Sequence, residues 1–286
     1  MSSASRFAPL IVCFLVGTMG CFNASCNNGQ SPPPAEPASA KGQENAELLW
    51  EQRESEACLR RAIGIYEEQL EMQPSVALCN RLCRAYYLLA DVFLEGDKDA
   101  QSAVHWQAVL CALEGLKLQE EFRTALEGQW PSATAIGLVD REHAEPLFWW
   151  AAHLGRWLSR KDLVTQVRHR TRLTAALEKV GALDGQILAG SLYRTWGAYY
   201  AHRGDMAKAR ENFERAAEIA PFMLLTRLMY ARECAVPAGD KDLFVRQLTL
   251  ALQEPEPDIP EILPEFRLYR GRARDLLERT QEFFPY

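Results

Sequence analysis

No stretch of this 286-residue sequence alternates apolar and polar residues over the roughly four to eight positions that a half-buried strand needs. A β fold is therefore not expected. Catalytic signatures are missing as well: there is no His-Glu-x-x-His, no glycine-rich phosphate loop and no nucleophile elbow. The five histidines (His105, His143, His153, His169, His202) form no pair at helical spacing with an acid placed to share a metal, and no cysteine spacing resembles a zinc site. The chain reads as a non-enzyme without cofactor or metal. Positive charge is in deficit, with 32 Lys and Arg against 38 Asp and Glu and a net charge of −6. That balance argues against a nucleic-acid partner. Acidic pairs such as Glu67-Glu68 and Glu120-Glu121 read as solvated helix faces. No apolar run is long enough to span a bilayer; "FAPLIVCFLVGTMG" after Arg6 is too short and poorly flanked.

That run does have the length of a signal peptide, and it ends in Thr18-Met19-Gly20-Cys21. A small residue directly before a cysteine looks like a lipobox, although Thr18 stands where Leu is usual. Residues 1–20 are thus expected to be a lipoprotein signal peptide with Cys21 as the lipid anchor, Cys26 being a weaker second choice. The Pro-, Ser- and Asn-rich stretch 21–44 is expected to be a disordered tether. These features place the protein on the periplasmic face of a membrane, attached only through lipid. Of the remaining cysteines, Cys79 and Cys83 are four apart on one helix face, a spacing that seldom bridges. They are read, with Cys58, Cys111 and Cys234, as small buried apolar residues.

Apolar residues make up 48% of the chain, enough for a real core beyond the tether. From about Asn45 every segment carries helical periodicity. Helices are expected near 45–73, 75–94, 98–118, 142–159, 161–180, 185–203, 205–219, 222–235, 240–254 and 264–283, separated by Pro and Gly breakers. Tandem helices call for a repeat search, and "YRTWGAYYAHRGDMAKARENFERAAEIAP" (193–221) fits the tetratricopeptide pattern. Trp196, Gly197 and Tyr200 fall on its first helix, Gly204 in the turn, Ala209 and Phe213 on the second helix, and Pro221 closes it. Gly197 and Ala209 let the helices approach, while Trp196, Tyr200 and Phe213 fill the space around the crossing. Weaker copies place Cys83 and the pair Leu154-Gly155 at equivalent crossings. The fold class is all-α, a tetratricopeptide-like array of tandem helical hairpins forming one domain over 45–284.

The densest aromatic stretch is "FWWAAHLGRW" (148–157). On a helical wheel Trp150, His153, Leu154 and Trp157 share a face, and Trp149 shares another edge with Arg156 and Arg160. Either the tryptophans pack against neighbouring helices, or that second edge walls a pocket in which Arg156 grips an anion. On the clean repeat, Ser191, Arg194, Ala198, Ala201 and His202 should line the concave side. Trp149, Arg156, Arg194 and His202 are therefore the candidate groove residues for a ligand or partner, an organic carboxylate or acidic segment suiting them best. The basic run "QVRHRTR" (166–172) is either a charged outer face or a docking patch.

The order of these blocks resembles the TatT family of lipoproteins associated with TRAP transporters. The resemblance runs over about 45–284 and is carried by "RAYYLLADVFLEG", "LFWWAAHLGRW", "YARECAVPAGDKDLFVRQLTLAL" and "RGRARDLLERTQEFF". Its most specific residues are Tyr230-Ala231-Arg232, Ala235-Val236-Pro237, Asp240 and Leu243-Phe244. The resemblance implies a TRAP auxiliary protein that associates with the transporter's solute-binding subunit, with a hydrophobic cavity or pore and self-assembly into homo-oligomers. It carries over no catalytic residue. The alternative is a general tetratricopeptide lipoprotein that scaffolds an envelope assembly of the pilus or secretion-pilot type.

Overall fold

Among the described residues (46–126, 128 and 130–285 of a computed structural model) there are helices and no strand. The expected signal segment, tether and Cys21 lie outside them. The helices begin with a short one at 46–51 (α1), then α2 (Glu56–Met72), α3 (Val76–Leu88) and α4 (Lys98–Lys117). Two short ones follow, α5 (Glu120–Ala125) and α6 (Ala133–Leu138). Then come α7 (Ala144–Leu158), α8 (Leu163–Leu183), α9 (Ile187–His202), α10 (Met206–Ile219) and α11 (Leu224–Met229). The chain ends with α12 (Lys241–Gln253), α13 (Leu263–Glu278) and α14 (Thr280–Phe283). Helices α3 and α11 each run directly into a π-helical segment, Leu89–Phe93 and Tyr230–Ala235.

Local sequence explains most starts. Ser75, Asp97, Ser132, Asp162, Asp205 and Asp240 each accept the backbone N–H three residues on, at 2.9–3.2 Å. Such caps contribute about 1 kcal/mol apiece. Successive long helices pack in sequence: α3 on α4, α4 on α7, α7 on α8, α9 on α10, α12 on α13. The short pair α5 and α6, which periodicity did not reveal, sits between α4 and α7 and rests on α8. The last helices return to the first. Glu265 Oε1 at the start of α13 pairs with Arg53 (3.0 Å) and Arg84 (2.8 Å), and Glu261 accepts from Trp50 Nε1 at 3.1 Å.

The expected crossing at 193–221 is present. A Cβ on Gly197 would stand 2.9 Å from three ring atoms of Phe213, which is fully buried and stacked on Tyr230. Ala209 is also fully buried. Gly204 closes the α9–α10 turn at φ +77°, the left-handed region that suits glycine. Cys83 packs as expected, its Sγ 3.6 Å from the Ala108 carbonyl. Leu154-Gly155 is not a crossing pair: nothing lies within 4 Å of a Cβ on Gly155. The close approach beside α7 occurs instead at Gly115, whose added Cβ would meet Cys79 Cβ at 3.0 Å and Pro146 Cβ at 3.4 Å. Cys58, Cys79, Cys83, Cys111 and Cys234 are free thiols, all but Cys58 buried.

Two glycines give opposite expectations. Gly197→Ala should lower stability by roughly 1–3 kcal/mol through overpacking against Phe213. Gly64→Ala, in α2 with open space around it, should raise stability by about 0.5–1 kcal/mol through helix propensity. Urea unfolding of both variants checks the pair; equal effects would mean that the crossing is looser than described.

Candidate functional site

Arg156, on the last turn of α7, reaches between the two π-helical segments. Its NH2 lies 2.8 Å from Asp91 on the first, and its NH1 lies 2.5 Å from Glu233 on the second. Its Nε and NH2 also donate to the Tyr87 hydroxyl at 3.3 Å. Around this clamp, Glu95 pairs with Arg232 and with Arg272 of α13. Arg160, one turn beyond Arg156, donates to the neutral Gln101 side chain at 2.7 Å. π-helical turns often mark functional positions, and here both deliver an acid to the same guanidinium.

Behind the clamp lies a buried histidine pair. His153 Nε2 sits 3.0 Å from the Cys83 carbonyl, which can only accept, so Nε2 carries the proton. His153 Nδ1 is then the acceptor for His105 Nδ1 at 3.0 Å, and His105 Nε2 reaches Asp91 at 3.4 Å. Burial, reinforced by the neighbouring His105, depresses His153 to about 3. Burial alone would raise the Asp91 carboxyl, but Arg156 and His105 outweigh it and hold it well below the usual carboxylate range. Burial opposes the charge on Arg156 too, yet Asp91 and Glu233 keep it firmly protonated.

Three neighbouring cavities share walls around Tyr87, Arg156 and Tyr269. The largest, about 440 Å³, lies beside the clamp and adds Arg160, Arg232 and Arg272 to Arg156, facing Asp91, Glu95 and Glu233. A second, about 240 Å³, is mainly apolar; Phe148, Trp149, Met223, Leu225 and Ile262 line it together with Arg84, Arg194, Glu261 and Glu265. The third is an apolar groove of about 130 Å³ between α7, α8 and α9, with Arg156, Arg170 and Arg203 but no carboxylate in its lining. The three linings hold eight arginines and five carboxylates, so the interior surface of this acidic chain has a cationic surplus.

The four groove residues expected from sequence are split between these spaces. Trp149 and Arg194 line the 240 Å³ cavity, whereas Arg156 and His202 line the other two. The edge of α7 that carries Trp149 and Arg156, continued by Arg160 in the turn after it, does front the cavities. Trp149 also donates to Glu145 and packs on Tyr87, while Trp150 is fully buried. Trp157 joins Trp106, Trp130 and His169 in an aromatic cluster, with Arg172 over Trp130. The basic run 166–172 is therefore partly inward: His169 is buried, and Gln166, Val167 and Arg170 line the groove. Sequence reading missed Tyr269, and it missed Asp91, Glu233, Tyr87 and the His105–His153 pair because their partners are 48 or more positions away and no local spacing announces them.

A family model described as TRAP transporter T-component matches residues 102–284. The match takes in Arg156, Arg194, Glu233 and Tyr269 and leaves out Tyr87 and Asp91. No curated protein matches the chain.

Two measurements test the clamp. Arg156→Ala should cost about 3 kcal/mol in urea unfolding, since it leaves two carboxylates facing each other without their cation; a cost below about 1 kcal/mol would show that the clamp is solvated. The second is acid sensitivity. An unfolded imidazole titrates at about 6.5, above the depressed value of His153 in the folded chain. Stability from neutral His153 is thus complete above about pH 6.5 and is lost as pH falls toward 3, by at most about 1.4 kcal/mol per pH unit. Asp91 adds to the loss at lower pH. His153→Gln, which keeps a donor for Cys83 and an acceptor for His105, should flatten the slope between pH 6.5 and about 4.5; an unchanged slope would assign it to other groups.

Proposed function

The chain belongs to the TRAP transporter T-component family, and from that premise we propose that it is a lipid-anchored auxiliary protein of a TRAP transporter. In this reading residues 45–284 form one tetratricopeptide-like array, held at the periplasmic face of a membrane through Cys21 and the tether. The array associates with the transporter's solute-binding subunit and holds a hydrophobic or organic-acid ligand in its cavities. It forms homo-oligomers and performs no catalysis. The family match is the observation that carries the reading. The cationic surplus around the cavities is what an organic anion would need, and no described helix is long and apolar enough to cross a membrane.

Mild-detergent capture of the tagged full chain from its native host, with partners identified by mass spectrometry, should recover a TRAP solute-binding subunit. Recovery of pilus or secretion components in its place would overturn the transport reading and favour a general envelope scaffold. Cys21→Ala should move the protein from the membrane to the soluble fraction; retention on the membrane would refute the anchor at that position.

A further inference from the structure

Arg194 is 6% exposed and lines the 240 Å³ cavity, yet no carboxylate pairs with it among the described residues. Its NH2 donates to the Ser191 hydroxyl at 2.6 Å and its NH1 to the Thr226 hydroxyl at 3.3 Å, both neutral acceptors. The two acids on the cavity wall are engaged elsewhere. Glu265 is held by Arg53 and Arg84, and Glu261 by Trp50 and Arg84. Those two arginines and two glutamates balance one another, which leaves the charge on Arg194 as the excess. A buried charge is costly unless it is paired, and burial indeed lowers the Arg194 value. Tyr269 lines the same cavity, and its hydroxyl has no hydrogen-bond partner among the described residues.

The remaining wall is apolar: Phe148, Trp149, Leu188, Met223, Leu225 and Ile262. A cavity of about 150 Å³ already accepts benzene, so 240 Å³ has room for a chain of roughly eight carbons. We propose that this cavity is a binding site for a monocarboxylate with an apolar body, its carboxylate paired with Arg194 and hydrogen-bonded by Tyr269, and its chain lying against Trp149 and the aliphatic wall. The proposal deepens the ligand part of the reading above, which it rests on only for the cavity's having a cargo. It requires no partner protein, so it can fail or hold whatever the capture experiment returns.

The test is calorimetric titration of the full chain carrying Cys21→Ala, which keeps lipid and detergent out of the cell. The probes are octanoate and octan-1-ol, equal in length and different in charge. Octanoate should bind at least about tenfold more tightly than octanol. Arg194→Met keeps the apolar stem and removes the charge; it should abolish that preference, leave octanol affinity unchanged and raise thermal stability, because a purely apolar replacement of a buried charge is tolerated or stabilising. A merely structural arginine would lower stability when replaced and leave the octanoate-to-octanol ratio as it was, which would overturn the proposal. Tyr269→Phe, which retains the ring, should weaken octanoate alone by several-fold. Equal affinity of the wild-type cavity for the two probes, or affinity for neither, would also overturn it.

Discussion

The contact on which the rest of the structure depends is the pairing of Arg156 with Asp91 and Glu233. It joins three elements that are far apart in sequence: the end of α7 and the two π-helical segments that end α3 and α11. The two segments are built alike. Each continues a regular helix, contributes one acid to Arg156, and is followed by a helix capped by an aspartate, Asp97 or Asp240. Buried ion pairs gain little unless every polar group is satisfied. The Arg156 nitrogens meet that condition through Asp91, Glu233 and the Tyr87 hydroxyl, while Glu233 Oε2 is buried with no partner among the described residues. The clamp is therefore first a structural device, and it fixes the shared walls of the cavities on either side.

With those walls fixed, charge distribution becomes the informative feature. The chain is acidic overall, yet its cavity linings carry more arginine than carboxylate. Half of these arginines meet an acid: Arg156 two of them, Arg232 and Arg272 the shared Glu95, and Arg84 both Glu261 and Glu265. Arg194 is the buried one that meets only hydroxyls. Folding around such a group costs stability, and proteins retain that kind of cost where function needs it. The left-handed backbone at Leu188 and Ala189, φ 46° and 53°, lies on the wall of the same cavity and is strained for residues with a Cβ.

The helices were readable because their signals are local. Aspartate and serine caps, proline and glycine breaks and apolar periodicity all act within a few residues, and the Gly197–Phe213 crossing lies inside one recognisable hairpin. Helices α5 and α6, six residues each, are too short to show a period. The π-helical segments escaped for a different reason, since one wider turn leaves the apolar pattern of a helix almost intact. Arg156 and Arg194 were readable as inward because neighbouring residues fixed the helix face. Their partners were not: Asp91, Glu233 and Glu265 have the spacing of ordinary solvated acids, and only tertiary folding sets Glu265 beside Arg53, 212 positions away.

The most direct test of the account is to ask what the cavity holds when the protein comes from its own envelope. The wild-type chain and Arg194→Met would be purified side by side from the native host. Each would then be denatured and its small-molecule extract quantified by mass spectrometry. The account predicts a carboxylic acid with an apolar body in near-equimolar amount with the wild-type chain and depleted from the variant. A wild-type extract without such an acid, or the same content from both proteins, would contradict it.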